Sequence, residues 1–204
     1  MTDRLVAHFA AMARNSAWAN ERLLGACESL DAVAFAASRT GFFPSMRRTL
    51  NHLYAVDVYY LDALEETGRG LAVFDPHPDF PAPTALRAVQ ADSDRRLIRF
   101  CDKLMATDFD RRVTVDRGAV GETQERIDAL LAHLFQHQIH HRGQAHAMLA
   151  GTSVPPPQLD EFFLDFDRNP TVSGGGFLPA GYSRRTEWSR MAAKAESRSQ
   201  DRDR

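Results

Sequence analysis

Apolar side chains return every three or four positions along most of the first 150 residues, which is the period of an amphipathic helix. The first stripe is Leu5, Phe9, Met12, Ala13, Leu23, Leu24 and Cys27, and it predicts a helix from about Asp3 to Cys27. A second stripe, Met46, Leu50, Leu53, Val56, Tyr60 and Leu64, predicts a helix from about Pro44 to Thr67. Pro44 suits a first helical turn, where the missing N–H costs nothing, and Gly68 supplies the stop. Leu86, Val89, Leu97, Phe100, Cys101 and Leu104 predict a third helix from about Thr84 to Met105. Ile127, Leu130, Leu134, His137, His141, Ala145 and Met148 predict a fourth, from about Glu122 to Ala150, closed by Gly151 and by Pro155, Pro156 and Pro157.

The punctuation between these stripes agrees with them. Proline is absent from 1–43, 45–75 and 84–154, as expected of a residue that breaks helix interiors. Leu71 to Pro83 is a proline-rich connection between the second and third helices. Arg112 to Asp116 alternates polar and apolar residues, which predicts a short strand or hairpin before the last long helix. Asp160 to Phe166 is expected to form a short fifth helix capping the bundle. The expected fold is all-α, a four-helix bundle domain over residues 1–168. Residues 169–204 carry a triple glycine and then a run rich in Arg, Ser, Asp and Ala, and are expected to be a low-complexity, mostly disordered tail with a short helix around Trp188.

Composition narrows the function classes. The chain has 204 residues, 44% of them hydrophobic, enough for a buried core. A formal net charge of -2 argues against nucleic-acid binding, which needs a basic surplus. No apolar run approaches the roughly 20 residues that span a bilayer, so no membrane partner is expected. The charged N-terminus lacks a signal-peptide core, and a cytoplasmic location is expected. The two cysteines, Cys27 and Cys101, lack zinc-finger or CxxC spacing. No HExxH, P-loop or GxGxxG motif occurs.

The remaining peculiarity is eight histidines, five of them between His133 and His146. Residues four apart lie one turn above each other on a helix, so His133, His137 and His141 form a ladder, and His137 with His141 can chelate one metal ion. His140 is turned by about 100° from His141. A zinc-like ion held by two imidazoles needs a third ligand from a facing helix, and His52, between Leu50 and Leu53, is the candidate. Three imidazoles with open positions describe a reactive site, not a closed structural one. Read from spacing alone, an ordinary role as hydrogen-bonded or surface histidines stands beside the metal reading. Arg142 and Gln144 are candidates to orient the ligands or bind a substrate, with a helix-surface ion pair as the plainer reading of Arg142. Gly143 inside a helix suggests a close helix approach. Asp57 lies about 140° around the helix from His52, poorly placed to support it.

Asn51-His52 within TLNHLYAVD, followed roughly 80 residues later by HLFQHQIHHRGQAHAML, resembles the DinB/YfiT-like superfamily of metalloproteins. NSAWANERLL (Asn15 to Leu24) resembles that family's first helix, and PPPQLDEFF (Pro155 to Phe163) its C-terminal segment. The resemblance implies an up-down-down-up bundle with one divalent metal, zinc or nickel, held by His52, His137 and His141. It implies metal-dependent chemistry on an external low-molecular-weight thiol, as an S-transferase or isomerase, with a hydrolase as a further enzyme class. The alternative it leaves is a non-catalytic metal-binding stress-response protein. It also implies a homodimer acting on a small-molecule substrate.

Overall fold

The computed structural model describes residues 2–160. Five helices and one hairpin make up the regular structure there: α1 (Thr2–Cys27), α2 (Ala32–Ala36), α3 (Met46–Leu64), α4 (Pro83–Lys103), β1 (Arg112–Asp116), β2 (Glu122–Arg126) and α5 (Ile127–Ala150). Short 3-10 turns at Gly70–Phe74, Ala106–Asp110 and Gly118–Val120 fill the connections.

Four long helices form the bundle. Two apolar clusters show their directions. One joins Phe9 and Ala13 of α1 to Tyr60, Leu61 and Leu64 of α3, Leu97 and Cys101 of α4, and Ile127, Leu131 and Leu134 of α5. The other joins Leu23 and Cys27 of α1 to Met46 and Leu50 of α3, Leu86 of α4, and Ala145, Met148 and Leu149 of α5. The start of α1 therefore shares an end of the bundle with the ends of α3 and α4 and the start of α5. This is the expected up-down-down-up order. Because α3 and α4 run the same way, residues 65–82 must cross the full length of the bundle between them, which explains the long proline-rich connection.

Local chemistry sets the boundaries. Ser45 caps α3, its hydroxyl accepting from the Arg48 N–H at 3.2 Å, so the helix begins at Met46 instead of Pro44. Pro83 occupies the first turn of α4. The short helix α2 was not signalled by any periodicity. It is a single turn held by Asp31, which accepts from the Ala34 N–H at 2.7 Å.

The last long helix begins at Ile127, five residues after the expected Glu122. Residues 122–126 instead pair antiparallel with β1, Val113 facing Glu125 and Val115 facing Thr123. The turn between the strands needs positive φ at Gly118 (64°) and Gly121 (87°), a region open to glycine. Val113 and Val115 are buried in the first apolar cluster, so β1 closes that end of the bundle. No helix among the described residues is long and apolar enough to cross a membrane. The fifth helix expected at Asp160–Phe166 lies outside the described residues beyond Asp160, as does the tail at 169–204.

Candidate metal centre

His137 and His141 stand one turn apart on α5, their ring centroids 4.4 Å apart. His52, on the facing α3, brings its ring to 5.2 Å from His137 and 4.8 Å from His141. One nitrogen of each ring lies within 4.8 Å of the others. Nε2 of His52 and Nε2 of His137 are 3.2 Å apart. The expected triad is thus assembled from two helices, as α3 and α5 pack side by side.

The Nδ1 of His141 stands 2.9 Å from the Gln144 Oε1. Since that oxygen only accepts, Nδ1 carries the proton and Nε2 keeps its lone pair. The other end of Gln144 donates to Nε2 of the exposed His140 at 3.0 Å. Phe43 covers one side of the site, its ring 4.5 Å from His52 and 5.7 Å from His141.

Burial pushes the imidazoles toward neutrality. It lowers His52 to about 4, aided by His141 and His77. It lowers His137 to about 3, aided by four neighbouring histidines, and it lowers His141 against the opposing bond from Gln144. At neutral pH the three rings are uncharged, the form that binds metal.

These features fit a divalent ion. Nitrogens about 2.1 Å from one tetrahedral ion stand roughly 3.4 Å from each other, close to the 3.2 Å between His52 and His137. Three neutral nitrogens with no carboxylate suit a borderline cation such as zinc or nickel better than magnesium or calcium. The Nδ1 of His137 is buried without a hydrogen-bond partner.

The other histidines go elsewhere. His133 is exposed, 6.4 Å from His137 and edge-on to Tyr60 at 5.3 Å, so the ladder ends at two members. His8 and His77 are exposed, and the ring of His146 is 2.9 Å from the Pro157 carbonyl.

Two expectations around the triad require correction. Gly143 makes no close approach: a methyl group there would meet nothing within 4 Å. Arg142 is not in a surface ion pair. It is 4% exposed and points into the bundle, away from the imidazoles. Its Nη1 donates to Ser16 Oγ (2.8 Å), Asn20 Oδ1 (3.0 Å) and Gln138 Oε1 (2.5 Å). Asn20 donates onward to Asp94 at 2.9 Å, and Gln90 donates to both Asp94 (3.0 Å) and Asp57 (2.7 Å). All seven side chains are buried. Asp57 belongs to this network and not to His52, as its helical angle implied.

Burial drives the charges here too. It raises Asp57 to about 8, with Asp94 adding to the effect, and raises Asp94 to about 6 against bonds from Gln90 and Asn20. It lowers Arg142 to about 10, opposed by the two carboxylates. At neutral pH one carboxylate, Asp94, balances one guanidinium, and Asp57 is protonated.

The network was missed in the sequence, although it left a trace. Ser16/Asn20, Gln90/Asp94 and Gln138/Arg142 are polar pairs four apart on three different helices. That recurrence marks a polar stripe facing a common interior.

A comparison with curated proteins gives no match. A comparison with protein families matches residues 1–170 to the family described as DinB family.

Proposed function

The chain belongs to the DinB family, and from that membership we propose that His52, His137 and His141 hold one divalent ion, zinc or nickel, for chemistry on a small thiol. The observation that carries this reading is the convergence of three neutral imidazoles from α3 and α5, with one nitrogen of each within 4.8 Å of the others.

An ion held there supplies Lewis acidity that lowers the pKa of a thiol or water at an open position. The chain's own residues supply the rest. Gln144 sets the tautomer of His141. Phe43 shields His52 and His141 from water on one side. Burial keeps the rings unprotonated at neutral pH.

The nucleophilic thiol comes from outside the chain in this reading. Both cysteines are fully buried, and burial pushes each thiol up to about 12, so neither is a thiolate at neutral pH. An S-transferase or isomerase acting on a small electrophile, as a cytoplasmic homodimer, completes the proposal.

The test is thiol consumption. Metal-loaded protein is mixed with low-molecular-weight thiols and electrophilic acceptors, and free thiol is followed over time. Turnover that disappears in His137→Ala supports the proposal. Bound metal with no consumption of any thiol favours the non-catalytic metal-binding alternative.

A further inference from the structure

We infer that Arg142 and the side chains it gathers, Ser16, Asn20 and Gln138, are positioning residues that aim His137 and His141 at His52. This inference rests on the metal-site reading above.

The geometry begins on α5. Gln138 directly follows His137, and Arg142 directly follows His141. Adjacent residues point about 100° apart on a helix. The helix therefore shows its imidazoles to α3 and its amide and guanidinium to α1. Any rotation or sliding of α5 moves both sets together.

The required tolerance is small. An imidazole nitrogen lies about 6 Å from the helix axis, so a rotation of about 10° moves it about 1 Å. A working site tolerates about 0.5 Å. The same rotation breaks the Arg142 bonds, because contacts of 2.5 to 3.0 Å leave the hydrogen-bond range beyond about 3.2 Å. Apolar contacts discriminate far less sharply over such a displacement.

The chain of bonds also reaches the other ligand-bearing helix. Arg142 bonds Asn20 on α1, Asn20 bonds Asp94 on α4, and Gln90 bonds Asp94 and Asp57, the last on α3 with His52. The helices that carry the three imidazoles are thus tied together behind the site. Stability alone does not account for this, since well-packed apolar residues commonly serve as well as a buried ion pair or better. The Asn15–Leu24 motif and the HHRGQ motif meet in this network through Ser16, Asn20 and Arg142.

Cobalt(II) binding to the full chain tests the inference, read as a dissociation constant and as the visible absorption of the bound ion. Arg142→Lys keeps the charge, but its shorter side chain withdraws the donor that makes all three bonds from the single Nη1. Asn20→Ser is a milder second variant that serves if Arg142→Lys does not fold. Leu97→Ala, in the α4 core, is the control for loss of stability. The expected result is cobalt binding at least tenfold weaker, with a shifted absorption band, in the network variants, while Leu97→Ala keeps the wild-type values. The inference is overturned if the network variants bind within twofold of wild type with an unchanged band. It is also overturned if Leu97→Ala loses cobalt in the same proportion. Wild-type protein that binds no cobalt refutes the metal-site reading and this inference with it.

Discussion

Removing the charge of Asp57 should flatten the pH dependence of stability above neutrality. The group is 2% exposed, and burial raises its pKa from an ordinary carboxylate value to about 8. A raised folded-state pKa means that the folded chain holds a proton the unfolded chain has already released. The stabilisation it brings is complete below the unfolded value and is lost as pH rises through the folded one. Asp94, raised to about 6, acts in the same direction at lower pH. His52, His137 and His141 act in the opposite direction, because burial lowers all three in the folded chain. Their contribution grows through the ordinary imidazole pKa of about 6.5 and levels off above about pH 7. Below about pH 7 the two effects oppose each other, whereas between about pH 7 and 8 Asp57 dominates. At most about 1.4 kcal/mol per pH unit, the loss over that window is up to about 1.4 kcal/mol. For a chain of this size that lowers Tm by roughly 3 to 6 °C. The assay is thermal unfolding of chelator-treated protein, so that metal linkage does not enter. Asp57→Asn should unfold at nearly the same temperature at pH 7 and pH 8, and above the wild type at pH 8. A wild-type Tm that rises over this window, or an Asp57→Asn variant with an unchanged slope, would refute the reasoning.

Other consequences are more direct. Gln144→Leu removes the acceptor for the His141 Nδ1–H and should weaken metal binding about 10- to 100-fold; isothermal titration measures the change, with Gln144→Glu retaining an acceptor and recovering most of the affinity. Ellman's reagent should find no reactive thiol in the native protein and two in denaturant, because Cys27 and Cys101 are both 0% exposed; a fast native reaction would contradict their burial. Leu134→Ala in α5, also 0% exposed, should destabilise the fold by about 2–5 kcal/mol in denaturant titration.

The helices and the triad were legible because each follows from spacing within a single element. His137 and His141 need only the helical period to share a face. His52 needed a facing helix, which the apolar stripe around Leu50 and Leu53 implied. What stayed hidden depends on partners outside the element itself. Glu122 to Arg126 is polar enough to begin a helix and becomes a strand through its pairing with Arg112 to Asp116. Arg142 reads as a surface residue because burying a lone charge is costly, and its acceptors Ser16 and Asn20 lie more than 100 residues away. His133 shares the helical period with His137, yet it packs edge-on against Tyr60 and is exposed.

The claim that three imidazoles make a metal centre is tested most directly by elemental analysis of protein purified without a polyhistidine tag. About one divalent ion per chain is expected in the wild type, with none retained by His52→Ala, His137→Ala or His141→Ala. A wild type that stays free of metal after loading with zinc and nickel would contradict the claim. So would alanine variants that keep the ion.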